Sequence, residues 1–173
     1  HQVEIAGPDA AKLTQMLTPR DLRSLRVGQC FYVPIIDDNA GMINDPVLLK
    51  LDNNKFWLSI ADSDLLLWVK GVTFGLGLDV EIFEPDVSPL AVQGPKAEAL
   101  MTDIFGDQIL DIPFFGFKVI PMFGRSQVVA RSGYSKQGGY EIYLHGSHFG
   151  NELWDLIWKA GEPYNIWPGS PNL

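Results

Sequence analysis

Ala6-Gly7-Pro8-Asp9-Ala10-Ala11-Lys12-Leu13 and Gln93-Gly94-Pro95-Lys96-Ala97-Glu98-Ala99-Leu100 are two versions of one pattern. Each follows a short alternating apolar run, Val3–Ile5 in one case and Leu90–Val92 in the other. In each, Gly-Pro breaks the strand, and the proline can occupy a first helical turn where its missing N–H costs nothing. Apolar residues then recur three and four apart, at Ala10, Leu13 and Leu17 and at Ala97, Leu100 and Ile104, which is helical spacing. Two strand-to-helix openings of the same design predict an internal duplication.

The flanking sequence extends the match. In the first half, Cys30–Ile36 reads as a strand, Asp37–Gly41 as a turn, and Ile43–Leu51 as a second strand. Asp52-Asn53-Asn54 turns into a strand at Lys55–Ile60, and a helix runs from about Asp62 to Val72, with Asp62 or Ser63 as N-cap. In the second half, Gln127–Ser132 and Tyr140–Leu144 read as strands around a Gly-rich turn, Ser135–Gly139. Ser147 opens a helix to Ala160, which Gly161 ends. The prediction is an α+β fold of duplicated strand-helix-strand-strand-helix units with ferredoxin-like elements, helices lying on one face of an antiparallel sheet. The units divide at 1–86 and 87–173. A repeat of about 90 residues, present only twice, is not a solenoid.

Composition bounds the function. Of 173 residues, 46% are hydrophobic and 20% charged, enough for a buried core. A net charge of -8 argues against phosphate-rich partners, so no nucleic acid and no anionic membrane surface are expected. No apolar run reaches the roughly 18–20 residues of a membrane span. No leader peptide is visible, and a cytoplasmic protein is expected. The chain opens at His1 inside a strand and closes at Leu173 after a loop, as an excised piece of a longer protein would. The single cysteine, Cys30, excludes an intrachain disulfide. His145 and His148 lack a third ligand nearby in sequence, so no metal is expected. No GxSxG elbow is present, and Cys30 has no evident histidine partner for nucleophilic catalysis.

Two stretches carry candidate chemistry. In Gly41-Met42-Ile43-Asn44-Asp45-Pro46, Asp45 precedes a proline that restricts it to extended conformations. It reads either as a stiffly held functional carboxylate or as a turn-capping aspartate. In Ser132-Gly133-Tyr134-Ser135-Lys136-Gln137-Gly138-Gly139-Tyr140-Glu141-Ile142-Tyr143, alternation places Glu141 and Tyr143 on one strand face. An acid among aromatics suits a flat heterocycle, with the carboxylate accepting N–H groups and a ring stacking above; a plain hairpin with a polar outer face is the other reading. Both acids follow glycine turns in their respective halves. The five tryptophans, among them Trp154 and Trp158 four apart, read as core, the other reading being one exposed ring that holds a cation by its π face.

At these residues the chain resembles the glycine-cleavage T-protein superfamily. Gly41–Pro46 is similar to the segment in which a glycine turn leads into paired acids. Gly133–Ile142 is similar to the Gly-Tyr-Thr-Gly-Glu-Asp-Gly-x-Glu-Ile segment, and Leu90–Pro95 to the Leu-Gln-Gly-Pro that opens the second domain. Asn44-Asp45-Pro46, Ser135–Gly139 and Trp57–Asp64 depart from the T-protein itself and resemble a sulfonium-demethylating member. The resemblance implies three domains around a central folate, the C-terminal β-barrel domain being absent here along with the N-terminal portion of the first. It implies a tetrahydrofolate-dependent methyl transfer from a small-molecule sulfonium, with an aminomethyltransferase or a non-catalytic folate binder as alternatives. Carried over by motif, Asp45 is catalytic, and Glu141, Tyr134, Tyr143, Asn44 and Ser59 hold the folate. Tyr32 lines the substrate side. A homodimer is the one protein assembly left open.

Overall fold

The computed structural model of the protein describes residues 1–61 and 65–169. The chain divides into two compact units, His1–Pro85 and Asp86–Leu173.

The first unit begins with β1 (Gln2–Ala6) and α1 (Ala10–Leu17). β2 (Cys30–Tyr32), β3 (Ile35–Ile36), β4 (Met42–Asn44), β5 (Val47–Asp52) and β6 (Lys55–Ser59) follow. α2 (Leu65–Leu76) and β7 (Glu81–Phe83) complete it. Its sheet has the order β2-β5-β6-β1-β7, with β3 and β4 forming a separate ribbon. The second unit contains β8 (Val87–Gln93), α3 (Ala97–Phe105), β9 (Phe117–Met122), β10 (Arg125–Ala130), β11 (Gly139–His145) and α4 (Gly150–Gly161). Its sheet order is β8-β11-β10-β9. All pairings are antiparallel.

The shared strand-turn-helix opening is one hydrogen-bonded design used twice. Gly7 N–H donates to Asn54 O at 3.0 Å, and Gly94 N–H to Gly138 O at 2.9 Å. The turns close with Ala10 N–H on Gly7 O and Ala97 N–H on Gly94 O, both at 3.0 Å. Pro8 and Pro95 sit one residue ahead of the N-caps Asp9 and Lys96, outside the helices rather than in their first turns. Their fixed φ serves the second position of the turn that feeds the helix. β1-β6-β5-β2 and β8-β11-β10-β9 have the same order, and matching β1 to β8 pairs every strand of the second unit with one of the first.

In each unit one sheet face carries the helices. Val3, Ile5, Leu48, Phe56 and Leu58 pack with Leu13 and Leu17 of α1 and Leu65 and Val69 of α2. Val92, Val129, Tyr140, Ile142 and Leu144 pack with Leu100 and Met101 of α3 and Leu153 and Ile157 of α4. The opposite face of the first sheet is also buried, at Cys30, Leu49 and Trp57, and holds a charge. Glu4, 5% exposed, accepts from Trp57 Nε1 at 2.8 Å and pairs with Lys55 Nζ at 2.8 Å. Both carboxylate oxygens thus have donors, the condition for burying an acid.

Several elements differ from their sequence reading. The expected strand Cys30–Ile36 is interrupted at Val33-Pro34, and Ile43–Leu51 at Asp45-Pro46. A proline cannot donate to a ladder, so each strand divides into a sheet part and a ribbon part. β7 and β9 carry no strong alternation and were not anticipated; β9 makes three strands, not two, between the helices of the second unit. Ser147–Phe149 is a 3₁₀ turn, and α4 starts only at Gly150, without a side-chain cap. Ser147 N–H instead donates to the Asp86 carboxylate at 3.1 and 3.2 Å, which lowers the pKa of Asp86. α2 runs on past Val72 to Leu76, and its expected caps, Asp62 and Ser63, lie outside the described residues. No helix among the described residues is long and apolar enough to cross a membrane.

Candidate functional site

The first unit brings Tyr32, Asn44 and Asp45 together. The strand break at Asp45-Pro46 leaves Asp45 exposed between ribbon and sheet, with Pro46 buried as its anchor. Pro46 O accepts from Val33 N–H at 3.0 Å, which holds the two breaks side by side. The Tyr32 hydroxyl donates to Asp45 Oδ2 at 2.7 Å, and Asp45 N–H donates to Asn44 Oδ1 at 2.8 Å. The bond to Asp45, followed by partial burial and the Asp45 charge, raises the Tyr32 phenol above its ordinary 10.0. Tyr32 therefore stays protonated at neutral pH as a hydrogen-bond donor, and its bond holds Asp45 at a defined orientation.

Arg20 belongs to this group and has no motif to announce it. Its Nη1 donates to Tyr32 O at 2.6 Å, and its guanidinium lies 4.1 Å from the Phe31 ring centroid. It sits in the irregular segment after α1, where position along the chain says nothing about proximity to β2. Ser59 shares the sheet face of Tyr32, two strands away through Val47. Gln2 Nε2 donates to Ser59 Oγ at 3.3 Å, while Gln2 Oε1 is buried without a hydrogen-bond partner among the described residues.

The second unit holds Glu141, Tyr143 and Tyr134. Glu141 is half-buried on β11, and its Oε2 accepts from the Ser132 hydroxyl. Its Oε1 has no hydrogen-bond partner among the described residues. Tyr143, two residues along the same strand face, is 1% exposed, whereas Tyr134 on the preceding loop is 88% exposed. The two tyrosines are thus placed in opposite environments. Ser132, 3% exposed, was not singled out by sequence.

The glycines of this loop permit close backbone packing. A Cβ on Gly139 (φ +137) would lie 2.2 Å from Val92 O, and one on Gly133 (φ +158) 2.0 Å from Gln93 Oε1. The loop is drawn onto the end of β8 and is not an open anion cradle.

Asp45 and Glu141 are not equivalent positions of the duplication. Registers equate β6 with β11 through their partners β1 and β8, so Trp57, opposite Glu4, matches Glu141, opposite Ala91. Ser59 correspondingly matches Tyr143. The expectation that two glycine turns present two comparable acids is thereby corrected: Asp45 precedes β5, a different strand. Among the described residues no group of three or more His, Cys, Asp or Glu is placed to hold a metal ion. His145 Nδ1 lies 3.0 Å from Ser126 O, and His148 is in ring contact with Phe149.

Residues 1–171 match the GCVT N-terminal domain. A dimethylsulfoniopropionate demethylase from Ruegeria pomeroyi is 51% identical over 171 residues, 99% of this chain and 47% of the relative. An aminomethyltransferase from Natranaerobius thermophilus is 29% identical, over 96% of this chain and 46% of its own. The glycine cleavage system aminomethyltransferase T from Bartonella henselae has the same fold, with TM-score 0.78 at 23% identity over 90% of this chain and 42% of that one. The heterotetrameric sarcosine oxidase from Corynebacterium sp. U-96 matches at TM-score 0.68 and 15% identity, over 98% of this chain and 83% of that one. The chain spans about half the length of the curated relatives it matches.

Proposed function

The chain belongs to the GCVT N-terminal domain family, and we propose that the intact protein demethylates dimethylsulfoniopropionate, passing a methyl group from sulfur to tetrahydrofolate. The observation that carries this reading is the 51% identity to a demethylase of that substrate across nearly the whole chain, against 27–30% for the aminomethyltransferases.

The residues present fit a folate. Glu141 offers a carboxylate with Oε2 held by Ser132 and Oε1 open, suited to the N–H edge of a pterin. Tyr134 offers an exposed ring for stacking. Tetrahydrofolate supplies the N5 lone pair that accepts the methyl group. With both ligands bound, the S–CH₃ bond would break with its electron pair retained by sulfur, giving methylthiopropionate, and the N5 proton would be lost to solvent.

A sulfonium already carries a good leaving group, its neutral thioether, so the protein contributes alignment rather than strong acid–base chemistry, an effect of roughly 7–11 kcal/mol at most. Asp45, oriented by Tyr32 and Asn44, steadies the positive charge of the reacting centre. Tyr32 lines the substrate side, where an aromatic face holds a sulfonium without quenching it. Ser59 shares the sheet face of Tyr32 in its own unit, and Tyr143, 1% exposed on the strand face of Glu141, backs that face rather than meeting the ligand. An aminomethyltransferase is the second reading, favoured by the family relatives and the Bartonella fold.

Mixing the intact protein with dimethylsulfoniopropionate and tetrahydrofolate is expected to yield methylthiopropionate. Ammonia released from an aminomethyl donor instead selects the second reading. Tetrahydrofolate is expected to raise the thermal midpoint, and Glu141→Gln to weaken that protection; unchanged protection overturns the role of Glu141.

A further inference from the structure

Gln93 is the last residue of β8, and every polar atom of its amide is committed to the Tyr134 loop. Nε2 donates to Ser132 O at 3.0 Å and to Tyr140 O at 3.1 Å, bridging the two residues that flank loop 133–139. Oε1 accepts from the Ser135 hydroxyl at 2.9 Å, inside the loop. The amide orientation is determined, because reversing it would set a carbonyl oxygen against two others. Gly133 and Gly139 leave room for this clamp, since side chains there would collide with the end of β8. One further bond extends the chain of contacts: the buried Ser132 hydroxyl donates to Glu141. The repeat isolates the feature. Ala6 is the matching residue of the first unit, where the facing hairpin closes through the short turn at Asn53-Asn54 and has no loop to hold. A glutamine here is not required by the shared strand-turn-helix design.

We infer that Gln93 and Ser132 are positioning residues for folate recognition, acting through Glu141 and the Tyr134 loop. The inference rests on the proposed folate site. Gln93 closes the base of the loop and sets the Ser132 backbone; Ser132 then fixes Oε2 of Glu141 so that Oε1 faces one way. Neither residue needs to touch the ligand.

The test is tetrahydrofolate affinity of the intact protein, read by tryptophan fluorescence well below each variant's unfolding midpoint. Ser132→Ala and Gln93→Met are each expected to weaken binding about tenfold, the scale of one lost charge-assisted hydrogen bond. Ser132→Thr, which keeps the hydroxyl, is expected to restore affinity to within about threefold. In a Glu141→Gln background, Ser132→Ala is expected to add less than about twofold, because its route of action is already removed. A purely structural role would lower affinity equally in both backgrounds, and that result overturns the inference. So does wild-type affinity in folded Ser132→Ala and Gln93→Met. If Gln93→Met does not fold, the Ser132 comparison in the two backgrounds decides alone. Absence of tetrahydrofolate binding by the wild-type protein overturns the proposed function itself, and this inference with it.

Discussion

Tyr32 and Asp45 constrain one another. The phenol fixes a carboxylate that the following proline has already made stiff, and the carboxylate keeps the phenol protonated. A raised folded pKa means that the native state favours neutral Tyr32. Its contribution to stability is complete below the ordinary tyrosine value of about 10 and is lost as pH rises through the folded value. Asp45→Asn removes the charge and is expected to lower the pH at which Tyr32 ionises, visible as an earlier rise in tyrosinate absorbance that Tyr32→Phe abolishes. In the proposed reaction Asp45→Asn is expected to cut kcat/KM by about a hundredfold, or roughly 2.7 kcal/mol of transition-state stabilisation. A loss under threefold would confine Asp45 to capping the turn. The motif made Asp45 legible; its bond to Tyr32 required the pairing of β2 with β5.

Among the elements, the β3–β4 ribbon shows how local chemistry sets a hairpin. Asp37 Oδ1 accepts from Asn39 N–H at 2.9 Å and Gly41 N–H at 2.7 Å, an aspartate turn of the kind its composition suggests. Ala40 is left at φ 63, a left-handed conformation that an alanine side chain resists. Ala40→Gly is therefore expected to raise stability by about 0.5–1 kcal/mol, relief of strain exceeding the added freedom of the unfolded chain. Urea unfolding checks it, and a destabilised variant would place the strain elsewhere. The same turn composition was readable in sequence because turns are local. The division of the long expected strands was less so, since a proline marks a break without saying which side stays in the sheet.

At the scale of the whole molecule the duplication governs stability. Leu13 and Leu100 occupy matching helix positions, and both are buried, at 0% and 3% exposure, each in the core of its own unit. Leu13→Ala and Leu100→Ala are each expected to cost about 2–5 kcal/mol by denaturant unfolding. A cost under 1 kcal/mol at either site would show that its helix does not share the packing of its counterpart. The repeated opening, the helical spacing of the apolar residues, the hairpin turns and the motif acids could all be read from the chain, because each depends on residues a few positions apart. Arg20 beside Tyr32, Gln2 across the ladder from Ser59, and the clamp from Gln93 through Ser132 to Glu141 could not. They join residues far apart in sequence, and the strand register that sets them side by side comes from burying one face of each sheet under its helices. Register also separated Asp45 from Glu141, which look alike as acids after glycine turns and stand on strands that do not correspond.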